Sequence, residues 1–209
     1  MKHITRSLSL LSLPLLFVAY AEAQSNIDVH FGGGVAYDSS NGTPIDTFGT
    51  GTLYSTPKLN STFLGAGGEL MLKPHFGVGA EVNWQAAKAD YAGLQFRPLF
   101  YDVNGVWRPN PHNKRFVFEA QAGLGATNLR FYQNQSACDA FAGCSSASSF
   151  VESSNHFQLH FGAAANVYIT RHVFFRPELD LHWVNNFFQF GSNLVPRTSL
   201  SLGYSFGER

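Results

Sequence analysis

The sequence predicts an all-β chain, an eight-stranded antiparallel up-and-down transmembrane β-barrel, and three observations carry that prediction. Apolar and polar residues alternate with period 2 over stretches of ten or more residues, and strand side chains alternate between faces with that period. Charged residues make up only 13% of the chain and aromatics 15%, with 20 Phe, whereas an ordinary soluble domain carries about 25% charged residues. The connections between the periodic stretches alternate between long and short, the asymmetry expected of a barrel that crosses a membrane.

The first segment is excluded from the fold. Lys2 and Arg6 precede an apolar run, Leu8–Ala19, and Ala21-Glu22-Ala23 follows. This is the layout of a secretory signal peptide cleaved after Ala23, because the run is shorter than the roughly 20 residues that span a bilayer. The expected domains are a signal peptide at 1–23 and a barrel at 24–209. No later stretch is apolar enough for a spanning helix, so an exported chain of this kind enters a membrane as a closed barrel. The formal net charge is zero, and nothing resembles the basic patch that a nucleic-acid partner requires.

The strands are expected in the following order. Ile27–Tyr37 comes first, with Asp28, His30, Gly32 and Gly34 on its polar face. A long loop, Ser39–Lys58, rich in Ser, Gly, Thr and Pro, follows. Thr62–Leu72 and Phe76–Ala86 are separated by the tight turn Lys73-Pro74-His75. A short polar connection, Ala87–Gly93, leads to Phe96–Trp107, and the breaker-rich RPNPHNKR turn leads to Phe116–Leu129. Phe131–Ser154 reads as a second long loop, then His156–Ile169 as the sixth strand. Val173–Trp183 is the clearest of all, with Val173, Phe175, Pro177, Leu179, Leu181 and Trp183 in one row and Phe174, Arg176, Glu178, Asp180 and His182 in the other. Asn185–Pro196 is a loop and Arg197–Phe206 closes the chain.

The polar faces point inward. Lys58, Lys73, Lys88 and Lys114 all sit in loops, turns or strand ends. A charge on the lipid face near the midplane costs about 2–4 kcal/mol for Arg or Lys, and a one-residue slip would turn a whole row outward. The interior ionisable set is therefore Glu69, Glu81, Asp102, Glu119, Arg176, Glu178, Asp180 and His182, with His30 and His160, and Arg176 is its lone mid-strand cation. Eight strands leave a lumen that side chains can fill, so these groups are expected to pair into a largely plugged polar interior.

The opening FGGGVAYD, the FRPELDL strand and the terminal TSLSLGYSF together resemble the small outer membrane protein β-barrel family, which includes the transmembrane domain of outer membrane protein A. The resemblance implies a bacterial outer-membrane location and contact with membrane lipid and lipopolysaccharide. It also implies recognition by the outer-membrane assembly machinery through the C-terminal strand, here extended past Phe206 by Gly207, Glu208 and Arg209. The expected role is structural or surface-interacting, in a monomer. A small gated pore is the alternative, with Arg176 its natural cation, and a lipid A-modifying enzyme is the other.

No catalytic, cofactor or metal residues are expected. The one Ser–His–acid cluster is Glu152, Ser153, Ser154 and His156, and sequence proximity does not make a triad. His156 and His160 lie four residues apart on a strand, about 13 Å, too far to share one ion. Cys138 and Cys144 in an exported chain suggest a local disulfide.

Overall fold

A computed structural model describes residues 27–37, 42–46, 49–113, 115–139, 143–187 and 190–207, with the backbone alone described at 135–139 and 143–146. The expected signal segment at 1–23 and the expected cleavage after Ala23 lie outside the described residues.

Eight antiparallel strands form the wall: β1 (Ile27–Ala36), β2 (Thr62–Met71), β3 (Phe76–Gln85), β4 (Leu94–Trp107), β5 (Phe116–Asp139), β6 (Gly143–Tyr168), β7 (Val173–Val184) and β8 (Leu194–Phe206). Each pairs with its sequence neighbours, and β1 pairs with β8 from Ile27 opposite Phe206 to Ala36 opposite Arg197, which closes the barrel. Two short ribbons decorate one end: Pro44–Ile45 pairs with Tyr54–Ser55, and Ala89–Tyr91 pairs with the start of β4.

The short connections have local causes. Between β2 and β3 the amides of Leu72 and Lys73 donate to the Phe76 carbonyl at 3.0 and 2.9 Å, and between β6 and β7 Ile169 donates to Val173 at 2.9 Å. The β4–β5 turn is held by Asn110, whose side chain donates to the Phe116 carbonyl and accepts from the Phe118 amide, both at 2.8 Å. Asx side chains that bond nearby backbone stabilise such turns.

The alternation resolves as expected. Val29, Phe31, Val103, Leu124, Phe161, Leu179, Leu200 and Leu202 are exposed on the outer surface, while their neighbours in sequence turn inward. Phe76, Trp107, Phe116, Phe175, Tyr204 and Phe206 ring the short-turn end and also face outward. Among the described residues no covering layer lies over this exterior, so the wall is one sheet with an apolar outside and a polar inside.

Two expectations need correction. The segment Phe131–Ser154 is not a loop. β5 and β6 continue through it as a paired hairpin up to Asp139 opposite Gly143, with one register shift at Phe131/Tyr132. The run reads as loop because its alternation is Ser, Ala, Gln and Asn rather than apolar against polar. A ladder with water on both faces needs backbone hydrogen bonds but no apolar face. The last loop is also shorter, since β8 begins at Leu194 and brings Arg197 inside the barrel wall.

Candidate functional site

Every member of the expected interior set is buried. Glu69, Glu81, Asp102, Glu119, Arg176, Glu178, Asp180 and His182, with His30 and His160, all line the lumen. Arg176 is not alone there. Arg108 and Arg197 are buried as well, and Asp28 joins the acids. The sequence pattern held a signal for all three: Asp28 shares parity with His30, Arg197 with Ser199, and Arg108 continues the inward row of Asp102 and Asn104 one residue past the end of β4. The breaker-rich turn around Arg108 hid the last of these.

The three guanidiniums sit at successive heights. Arg108, nearest the short turns, donates from Nε to Glu119 at 2.6 Å and from Nη2 to Asp28 and Glu69 at 2.6 and 2.8 Å. Arg176 donates to Glu119 from Nη1 and to Asn166 at 3.1 Å, and its Nη2 lies 2.7 Å from Glu69 and 3.2 Å from Glu178. Arg197 reaches from β8 to Asp180 through Nε and Nη2 at 3.0 and 2.6 Å, to Glu81 at 2.6 Å, and to Asn83 through Nη1. Glu69 and Glu119 are shared between Arg108 and Arg176, so the lower two layers form one connected network. Charge-assisted bonds of this kind are the strong ones, and burial makes each of them matter.

Neutral amides fill the gaps. Asn166 donates to Glu119 at 2.7 Å, and Gln121 spans Glu69 and Glu178 at 3.4 and 3.3 Å. Gln158 donates to Asp102 at 3.2 Å and accepts from Thr127 at 2.7 Å. Small residues make the room: at Gly65 and Gly67 a Cβ would collide with the Asn83 and His30 side chains respectively. Glycine in a strand commonly marks this sort of close approach.

Apolar layers bound the network. At the short-turn end, Val117, Tyr168 and Phe174 cluster. At the long-loop end, Leu59, Phe63, Phe96, Phe100, Leu129, Val184, Phe187, Phe190 and Val195 pack together. Phe187 and Phe190 stack at 4.2 Å between ring centroids, and Phe190 meets Phe96 edge-on at 5.5 Å. Both come from the β7–β8 connection, which folds back over the mouth of the barrel.

Solved membrane barrels share this architecture along nearly the whole chain. The attachment invasion locus protein Ail of Yersinia pestis, solved with the heparin analogue sucrose octasulfate, matches with a TM-score of 0.54 and 13% identity, over 88% of this chain and 99% of that one. A major outer membrane protein of Thermus thermophilus matches at 0.53 and 12%, over 87% and 99%. The chain has the fold of the small outer-membrane β-barrels. OprG of Pseudomonas aeruginosa, at 0.50 and 14% over 88% and 96%, is a further example. No family model matches the sequence, and no curated protein matches it.

Within this outer-membrane barrel fold the Ser–His cluster is partly assembled. Ser154 Oγ lies 3.0 Å from His156 Nε2, and His156 Nδ1 lies 3.1 Å from the Asn185 carbonyl oxygen. The carbonyl accepts, so Nδ1 donates and Nε2 is left to accept from the serine. Glu152 is exposed and sits on β6 opposite Phe131, and the second partner of the histidine is a backbone carbonyl rather than this acid. Cys138 and Cys144 are backbone partners directly opposite each other on the β5–β6 hairpin.

Proposed function

We propose that this protein is an integral barrel of the bacterial outer membrane with a closed lumen, acting as a structural or surface-interacting element of the envelope. The observation that carries the reading is the combination of a filled interior with a long hairpin. Three arginine layers and an aromatic cap occupy the lumen, while β5 and β6 stay paired from Tyr132, the last rung of β5 with β4, up to Asp139 opposite Gly143, roughly 23 Å at strand rise. The apolar exterior and its aromatic ring at the short-turn end match the surface of a lipid-embedded barrel. With the short turns placed at the periplasm, as in such barrels, the hairpin stands on the outside and offers a large polar surface to partners. Lys88 braces its base, donating to Ser148 at 2.5 Å and lying 3.8 Å over the Tyr132 ring.

The test starts from the outer-membrane fraction. The expected result is a salt-resistant protein whose unboiled form runs faster than the boiled form, which is silent in planar bilayers and loses its hairpin to protease on intact cells. A soluble periplasmic protein without that mobility shift would overturn the reading. Discrete conductance would favour the small gated pore, with the shared carboxylates of Arg176 as its gate. The Ser154–His156 contact favours a second reading, a hydrolase acting on lipid at the outer rim. Release of acyl chains from lipid A by the purified barrel, abolished in His156→Ala, would establish it.

A further inference from the structure

We propose that the outer surface of the barrel binds the phosphate of an outer-leaflet lipid headgroup through Arg97 on β4 and Arg130 on β5. The two residues are direct cross-strand partners. Arg97 shares its row with the exposed Tyr101 and Val103, and Arg130 shares its row with the exposed Leu124, so both belong to the outward face. Directly opposite residues on one face have Cβ atoms about 4.5–5.5 Å apart, and like charges so placed are destabilising. At the same rung β6 contributes Ser153, the exposed partner of Arg130.

No carboxylate relieves this repulsion. Among the described residues, every ion pair made by an arginine or lysine belongs to Arg108, Arg176 or Arg197. The nearest acid by register is Asp90, opposite Gln95, and it takes part in none of them. Each guanidinium is anchored instead through Nε to a neutral acceptor, Arg97 to the Gln85 carbonyl at 2.8 Å and Arg130 to Asn128 Oδ1 at 2.9 Å. Asn128 is itself held by donating to Asn155 Oδ1 at 2.8 Å. Anchoring at Nε fixes each fork and leaves its Nη groups for a ligand. Lys88 adds a third cation nearby, 3.8 Å over the ring of Tyr132, the next residue in the row of Arg130.

The height of the pair identifies the anion. Arg97 lies ten residues before Trp107, one of the aromatics that ring the short-turn end. Ten residues at strand rise span about 33 Å, and a strand tilt of about 40° leaves about 25 Å along the barrel axis. The lipid-facing apolar band of such barrels is also about 25 Å tall. The pair therefore stands at the interface opposite Trp107, where lipid headgroups begin. That this interface is the outer one rests on the outer-membrane orientation proposed above. A guanidinium fork matches phosphate in a bidentate way. A terminal phosphate carries close to two negative charges and three acceptor oxygens, enough to bridge two forks and take the Ser153 hydroxyl. A free anion would gain little from so exposed a pair, whereas a headgroup in the surrounding leaflet is present at high effective concentration.

The experiment uses the folded barrel in detergent micelles, labelled with 15N-arginine and titrated with bisphosphorylated lipid A in the same detergent. The Nε signals of Arg97 and Arg130 are expected to shift together and to saturate. Arg97→Gln/Arg130→Gln is expected to weaken binding about tenfold or more with unchanged heat-modifiable mobility. Arg115→Gln, at the opposite end of the barrel, is expected to bind like the parent. Two further arms fix the ligand: lipid A stripped of its phosphates, and inorganic phosphate at equal concentration, are each expected to leave both signals in place. Absence of a shift with lipid A, equal shifts with the stripped lipid, saturation by inorganic phosphate, parent affinity in the folded double variant, or shifts confined to other arginines would each overturn the proposal. If the double variant does not fold, the Nε shifts of the parent across the three ligands decide the matter. Location is read separately. A protein missing from the outer-membrane fraction overturns the orientation and this inference with it, whereas an outer-membrane barrel indifferent to the lipid A phosphates overturns this inference alone.

Discussion

Replacing Arg176 with alanine is expected to cost the barrel about 3 kcal/mol. Its side chain is fully buried and is held by Glu119, Glu69, Glu178 and Asn166. Removing one partner of a buried ion pair typically costs about 3–5 kcal/mol, because the other charge stays behind uncompensated. The network moderates this. Glu119 and Glu69 keep Arg108 at 2.6 and 2.8 Å. Glu178 fares worst, left with Arg197 at 3.9 Å, the Gln121 amide at 3.3 Å and the Ser199 hydroxyl at 3.4 Å. The lower end of the range follows, and most of the loss is localised at Glu178. Neutralising that acid should therefore restore stability, and Arg176→Ala/Glu178→Gln is expected to recover about 1 kcal/mol or more over the single variant, a coupling that distant sites do not show. The measurement is equilibrium denaturant unfolding in micelles, followed by the fraction of heat-modifiable folded band. A shift under about 0.5 kcal/mol for Arg176→Ala, or no recovery in the double variant, would refute the account of the network as the stabilising element of the lumen.

Other outcomes follow from the same geometry. Arg108→Ala is expected to destabilise by a similar amount, about 3 kcal/mol in the same unfolding assay, since Asp28, Glu69 and Glu119 all lean on it. Leu179→Arg places a charge on the outer surface of β7 and is expected to cost about 2–4 kcal/mol or to block assembly, read as loss of folded band. Phe187→Ala/Phe190→Ala thins the aromatic cap, and ion flux through the reconstituted double variant should exceed that of the silent parent only if Arg197 is also removed, because the charged layers lie beneath. Direct cross-strand partners have Cα atoms about 4.5–5.5 Å apart, within disulfide reach, so Cys138 and Cys144 should protect each other from alkylation until a reductant is added.

The period-2 pattern by itself determined the barrel. A one-residue slip would move Arg176, Glu178 and Asp180 into an apolar surrounding together, so the pattern leaves each strand a single acceptable register. It named the inward acids and histidines, all of which line the lumen. It was silent on the β5–β6 hairpin, because a ladder in water has no apolar face to advertise it. It also missed the count of interior cations: Arg108 sits one residue beyond its strand in a segment full of turn formers, and Arg197 sits at the edge of what reads as loop. Pairing was beyond its reach altogether. His160 and His182 are more than twenty positions apart in the chain, and no local period connects them. Only the register of β6 against β7 stacks the two rings at 4.8 Å, and only the closure of β1 on β8 brings Arg197 across the lumen to Glu81. Alternation is a property of one strand and can be read along it. Which charge meets which is a property of the closed sheet, decided when all eight strands are in place.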